Sequence, residues 1–196
     1  MARSRSSWMF TLVGTILLVS LAGCGPYNNL VALDEGADTA WSQVENVYQR
    51  RADLIPNLVN TVKGAADFEQ DTLTQVVEAR SKVGQISFNE APDAAQLQEF
   101  QAAQDELSSA IARLLVVVEQ YPDIKATQSF RDLQAQLEGT ENRIAVERRR
   151  FNEAVQAYNT TRRQVPSNIY AKVFDFEDKA YFESTPGTED PPVVEF

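Results

Sequence analysis

Residues Ala126–Arg163 read ATQSFRDLQAQLEGTENRIAVERRRFNEAVQAYNTTRR, a stretch without proline and with one glycine, Gly139. Its apolar side chains, Phe130, Leu133, Leu137, Ile144, Phe151, Val155 and Tyr158, return at steps of three, four and seven, and the phase carries on to Val165. Glu141, Arg148 and Arg162 fall in the same phase. That spacing draws one stripe along a helix, and a stripe of this length needs a partner throughout. At 1.5 Å per residue the helix would be about 57 Å long, so the domain it implies is a rod of packed helices.

The preceding stretch repeats the pattern in Leu97, Phe100, Leu107, Ile111, Leu114, Val118 and Tyr121, with Gln104 as the one polar member. Asn89-Glu90-Ala91-Pro92-Asp93 and Tyr121-Pro122-Asp123 punctuate the helices. A residue before proline disfavours helix, and aspartate caps the next one. Further upstream the phase runs Trp41, Val44, Tyr48, Ile55, Leu58, Val62 across Pro56. A single kinked helix would give that phase. Asp53 as a cap, Pro56 in a first turn and Arg50-Arg51 closing an earlier helix together favour a break.

After Pro166 the composition changes. Ile169, Tyr170, Val173, Phe174, Phe176, Tyr181 and Phe182 are too apolar to remain in water, so residues 166–183 are expected to fold back on the bundle. Core packing is the favoured reading, since monomers seldom expose large apolar patches. As a binding surface, Tyr170, Phe174, Phe176, Tyr181 and Phe182 are the best candidates, expected at the end of the rod far from the membrane. Residues 184–196 hold Pro186, Gly187, Pro191, Pro192 and three acids, the composition of a mobile tail.

At the other end, Arg3 and Arg5 precede an apolar run from Trp8 to Val19 and then Leu21-Ala22-Gly23-Cys24. This is the layout of a secretory signal, and the last four residues resemble the lipobox of bacterial lipoproteins, whose cysteine receives a diacylglycerol and becomes the new N-terminus. The run is short of the roughly 20 apolar residues that a retained span needs. Residues 1–23 are therefore expected to be cleaved, with Cys24 lipidated and 24–28 a short linker. Gly25, standing where aspartate would signal inner-membrane retention, suggests the periplasmic face of the outer membrane in a two-membrane bacterium, and otherwise the outer face of the plasma membrane.

Cleavage removes two arginines and no acid, moving the formal charge from -10 to -12. Nucleic acid is not expected as a partner of so acidic a chain, and attachment to a membrane must come from lipid. Cys24 is the single cysteine and histidine is absent. Ser-His-Asp and Cys-His nucleophile systems, HExxH zinc sites and ferritin-like di-iron motifs are thereby excluded. No cofactor and no metal is expected.

Four charges interrupt the apolar phase: Glu69, Arg80, Glu141 and Arg148. An unpaired buried charge costs several kcal/mol, so they are expected to pair with one another, Arg80 with Glu141 or through Glu69 and Arg148. The alternative is a carboxylate site for acid-base chemistry. Arg143, Arg148, Arg149, Arg150, Arg162 and Arg163 are expected to face acids of neighbouring helices rather than form an anion stripe. Asn57, Asn60, Asn142, Asn152 and Asn159 are poor interior helix residues, each held by a bond within the bundle or to a partner.

Arg50-Arg51-Ala52-Asp53-Leu54-Ile55-Pro56-Asn57-Leu58-Val59 closely resembles the LemA family. The resemblance continues through Val62-Lys63-Gly64, Tyr121-Pro122-Asp123-Ile124-Lys125-Ala126, Leu137-Glu138-Gly139-Thr140-Glu141-Asn142-Arg143-Ile144, Phe151-Asn152, Tyr158-Asn159 and Tyr181-Phe182. It implies an antiparallel four-helix bundle on an N-terminal membrane anchor, with no established biochemical activity. The chain departs from relatives at Ala65 and Phe68, where tyrosine and histidine are frequent, and at Asp175-Phe176 in place of Gly-Phe, which puts a tight turn in question. The expectation is thus an all-α, elongated antiparallel bundle over 29–165 with an aromatic extension over 166–183. Its function would be that of an extracytoplasmic, lipid-anchored, non-enzymatic scaffold holding an unidentified envelope protein. A cofactor-free enzyme using Glu and Arg groups in a cleft is the alternative.

Overall fold

The computed structural model describes residues 3–64, 69–88 and 90–183, with side-chain surroundings from residue 25 onward. Its helices are α1 (Arg3–Lys63), α2 (Gln70–Val83), α3 (Ala94–Val118), α4 (Pro122–Lys125), α5 (Gln128–Arg163) and α6 (Ser167–Val173). The four long helices pack as an antiparallel, all-α bundle. Arg51 and Trp41 of α1 meet Glu141 and Phe151 of α5 in opposite chain directions. Gln75 and Lys82 of α2 likewise meet Arg113 and Glu106 of α3. Ala65 and Phe68, Asn89 of the Asn89–Asp93 punctuation, and the tail 184–196 lie outside the described residues.

The punctuation works as its chemistry dictates. Asp93 caps α3 in a reciprocal box, its carboxylate accepting from Gln96 N at 2.8 Å while its own N–H donates to Gln96 Oε1 at 3.0 Å. Pro122 opens α4, and the Thr127 hydroxyl accepts from Phe130 N to start α5.

The expected break at Pro56 is absent: α1 is continuous through both Pro26 and Pro56. Asp53 caps nothing, and its carboxylate instead accepts from Gln49 Nε2 one turn back. A proline inside a helix strands the carbonyl four residues earlier, here that of Ala52. Arg80 of α2 supplies the missing donor, its Nε lying 2.9 Å from Ala52 O. A neighbouring side chain has replaced the backbone bond, so the helix need not end. Residues 25–28, expected within a linker, are also part of α1.

Two apolar clusters fill the bundle. One holds Ile55, Leu58 and Val62 with Leu73, Val76, Leu107, Leu114, Val118, Ile124, Phe130 and Leu137. The other holds Ala37, Trp41, Val44 and Tyr48 with Leu97, Phe100, Ile144, Phe151, Val155 and Phe182. Between them lies a polar layer around Arg51, which is 3% exposed. Its Nη1 donates to Ser108 Oγ at 2.9 Å and Glu141 Oε2 at 3.0 Å, and its Nη2 donates to the side-chain and backbone oxygens of Gln104. One guanidinium thus ties α1, α3 and α5 at a single register.

The expected ionic pairs do not form. Glu141 pairs with Arg51 and its side chain is 61% exposed. Arg80 serves the Ala52 carbonyl. Glu69 is the exposed cap residue of α2 and accepts from Thr72 Oγ1. The Arg148 guanidinium lies over the Phe182 ring at 4.5 Å and donates to Glu183 O. The reason is helical period. The buried positions of α5 run 133, 137, 140, 144 and 151, so the stripe passes through Thr140 and leaves Glu141 at its edge. Val165 falls beyond the end of α5 and is exposed.

Candidate interaction surface at the aromatic segment

The chain after α5 turns back through α6 and then runs without helix from Phe176 to Glu183 along the face of α5. A Schellman turn ends α6: Phe176 N donates to Ala171 O at 2.9 Å, with Asp175 at φ 53°. The tight turn is therefore made with aspartate in the left-handed position that glycine would fill.

Side chains of α5 then hold the backbone of this strap. Asn159 donates to Lys179 O at 2.9 Å and accepts from Lys179 N at 3.1 Å. Asn152, two turns earlier, does the same for Phe182 at 3.0 and 2.9 Å. Arg162 Nε donates to Phe176 O and the Tyr158 hydroxyl to Glu177 O. The contacts run from Arg162 back to Arg148 as the strap runs from Phe176 forward to Glu183. Fourteen helical steps and seven extended ones both span about 21–23 Å, so the two elements stay in register.

Side chains of the strap fasten it to α1. Lys179 Nζ lies 2.9 Å from both Asp34 and Asp38, which stand one turn apart on α1. Burial opposes its charge, yet the hydrogen bonds and charges of Asp38 and Asp34 raise its pKa above the usual lysine value. Burial, reinforced by the Asp34 charge, pushes Tyr158 up to about 12. Burial likewise raises Tyr48, beside the Arg51 layer. Phe182 is 5% exposed and packs on Trp41 and Phe151 with ring centres 6.0 and 5.5 Å away.

The five aromatic candidates therefore separate. Phe182 is core, Tyr170 and Phe176 are half-buried, and Phe174 and Tyr181 are exposed. Phe174 and Phe176 sit against Tyr27 of α1, at 4.8 and 5.9 Å between ring centres. Their position corrects the expectation that they lie far from the anchor. Tyr27 is only three residues, about 4.5 Å of helix, beyond Cys24. The strap and α6 occupy the end of the rod nearest the N-terminal apolar run.

The far end carries other open surface. A groove of about 250 Å³ lies between α1 and α2, lined by Val59, Lys63, Leu73, Val77 and Glu78 among others. Asn57 and Asn60 beside it are exposed. Midway, a cleft of about 270 Å³ is lined by Glu45, Tyr48, Gln49, Ser87 and Gln104 among others. Its one carboxylate, Glu45, already accepts from Phe88 N. Glu69 and Glu141 do not share a cleft: Glu141 meets Arg51, twelve residues or about 18 Å before the end of α1, and Glu69 follows that end. Among the described residues no cluster of acidic, cysteine or histidine side chains is placed to hold a metal ion. Nor is any helix among them long and apolar enough to cross a membrane. The side-chain surroundings of Cys24 lie outside the described residues.

The sequence profile of the LemA family matches residues 40–196. Magnetosome protein MamQ 2 of Paramagnetospirillum magneticum is 26% identical over 184 residues, covering 84% of this chain and 67% of the relative. Magnetosome protein MamQ of Magnetospirillum gryphiswaldense is 25% identical over 187 residues, with the same coverage. Protein LemA of Metamycoplasma hominis is 23% identical over 161 residues, covering 82% of this chain and 70% of the relative. None of these three relatives is named as an enzyme.

Proposed function

The chain belongs to the LemA family, and from that premise we propose that it is a lipid-anchored, non-enzymatic scaffold of the bacterial envelope. Cys24 carries the lipid after cleavage of residues 1–23, and the body stands on the extracytoplasmic side. In a two-membrane bacterium Gly25 directs it to the periplasmic face of the outer membrane.

One observation carries this reading: α1 runs without a break from the position of Cys24 to Lys63, so the proposed attachment point and the central helix of the rod are on one element. A helix starting at Cys24 reaches about 60 Å from its attachment. With no break in α1 between Cys24 and the bundle, the far end can stand up to that distance from the membrane. The contact surface for an envelope protein is then the distal end, where the Val59–Val77 groove and the exposed Asn57 and Asn60 stand.

Site-specific photocrosslinking tests this. A crosslinker at Asn60 in the membrane-bound protein should capture a discrete partner, and one at Arg143, on the exposed face of α5 midway along the rod, should not. Equal capture at both positions would remove the distal-end assignment. A reproducible hydrolytic activity of the purified protein, lost in Glu45→Gln or Glu141→Gln, would overturn the scaffold in favour of an enzyme.

A further inference from the structure

We infer that α6 is a second membrane contact: its outer face inserts into the headgroup region of the bilayer that holds the N-terminus. The inference rests on the membrane-anchored reading above.

Val165, Ile169 and Val173 recur every four residues and are 78%, 60% and 68% exposed, and Phe174, which follows, is 55% exposed. Ile169 and Val173 lie one turn apart on α6, and Val165 and Phe174 flank its two ends. The opposite side of α6 is spoken for, since Ser167 and Ala171 are buried against the bundle. Of the large apolar side chains exposed among the described residues, the others are Val77, Val116 and Tyr181, so the exposed apolar groups gather on this short helix and the residues that flank it. Exposed apolar groups gathered in one place mark an interaction surface rather than scatter.

Position identifies the occupant. Phe174 packs on Tyr27, about 4.5 Å of helix from Cys24. Peripheral helices bury their apolar face about 5–10 Å into the headgroup and acyl boundary, a depth that matches this offset. A globular partner seated on these residues would have to occupy the space of the lipid headgroups. Lys172 is exposed on α6, while Asp178 is neutralised by Arg162 and Arg163. Asp175 and Glu177, exposed just beyond Phe174, would stay on the water side and disfavour anionic lipid, so zwitterionic phosphatidylcholine is the bilayer to use.

The strap gives the contact a structural footing. Lys179, Asn159 and Asn152 fix the chain that follows α6, and α5 fixes the chain before it, so α6 is held at both ends. A second contact at this end would turn a single tether into a platform that sets the tilt of the rod.

The full chain, expressed in a bacterium that processes lipoproteins and reconstituted into phosphatidylcholine vesicles, provides the test. Ile169→Cys and Val116→Cys are labelled separately with an environment-sensitive nitrobenzoxadiazole probe, and lipid-borne nitroxides serve as quenchers. Val116 stands at the distal end of α3 and is the control. The Ile169 probe should shift to the blue and be quenched several-fold more than the Val116 probe, and adding Val173→Glu should abolish both effects. Membrane-bound protein with equally polar probes would overturn the inference and leave the anchor standing. A blue shift without quenching by lipid would also overturn it, pointing to a protein occupant. Protein that does not bind vesicles, or that takes the label at Cys24, would overturn both readings.

Discussion

Pro56 and Arg80 form a unit whose energetics can be isolated. The proline leaves Ala52 O without its helical donor, and the Arg80 guanidinium replaces it at 2.9 Å from a residue that is almost fully buried. Arg80→Met keeps much of the stem and removes the donor, leaving a buried carbonyl unpaired at a cost of about 1.5–3 kcal/mol. Pro56→Ala restores a backbone N–H and relieves the interior proline, and should stabilise by about 1–3 kcal/mol. In that background the Ala52 carbonyl is satisfied locally, so Arg80→Met should lose most of its effect, giving a coupling of about 1–2 kcal/mol. Urea melts followed by far-ultraviolet circular dichroism, on the four proteins starting at Gly25, measure the cycle. Additivity to within about 0.5 kcal/mol would refute the idea that Arg80 acts as the surrogate donor.

Three further outcomes concern the strap. Phe182→Ala should cost about 3–5 kcal/mol in the same melts, because it opens a cavity beside Trp41 and Phe151; a loss under about 1 kcal/mol would return Phe182 to the surface. Asn159→Leu should cost about 1–3 kcal/mol and selectively speed amide exchange at Lys179, with the α2 and α3 amides unchanged. The pKa values of Lys179 and Tyr158 are raised in the fold, so the stability they lend is complete below about pH 10 and declines as pH rises toward the folded values, about 12 for Tyr158. Exchange at Lys179 should therefore show the strap loosening as pH rises from about 10 toward 12, and ionisation of Tyr158 near pH 10 with the strap still closed would contradict the burial assigned to it.

Much of this was legible in the sequence. The series in α3 from Leu97 to Val118 is buried throughout, and Gln104, its one polar member, is the acceptor for Arg51. Arg51, beside Arg50, reads locally as a helix-end charge, although Trp41, Val44, Tyr48 and Ile55 place it on the same face. Pro56 misled because capping rules describe one helix at a time, and the donor that rescues Ala52 comes from another. Glu141 and Arg148 misled because a strict seven-residue step drifts on a helix of 3.6 residues per turn, and the true stripe moved to Thr140. The heptad-spaced pair Asn152 and Asn159 did signal specific bonds, but nothing local reveals that their partner is a backbone twenty to thirty residues later. Asp34 and Asp38 carried a similar hint, two acids one turn apart awaiting one cation.

Everything said of the platform depends on attachment at Cys24. Metabolic labelling with radioactive palmitate, combined with fractionation of membranes, compares the wild-type chain with Cys24→Ser. The wild type should incorporate label, migrate as the shorter processed form and sediment with membrane, whereas Cys24→Ser should stay unlabelled and unprocessed. Equal labelling of the two, or an unlabelled wild type that keeps residues 1–23, would contradict the account.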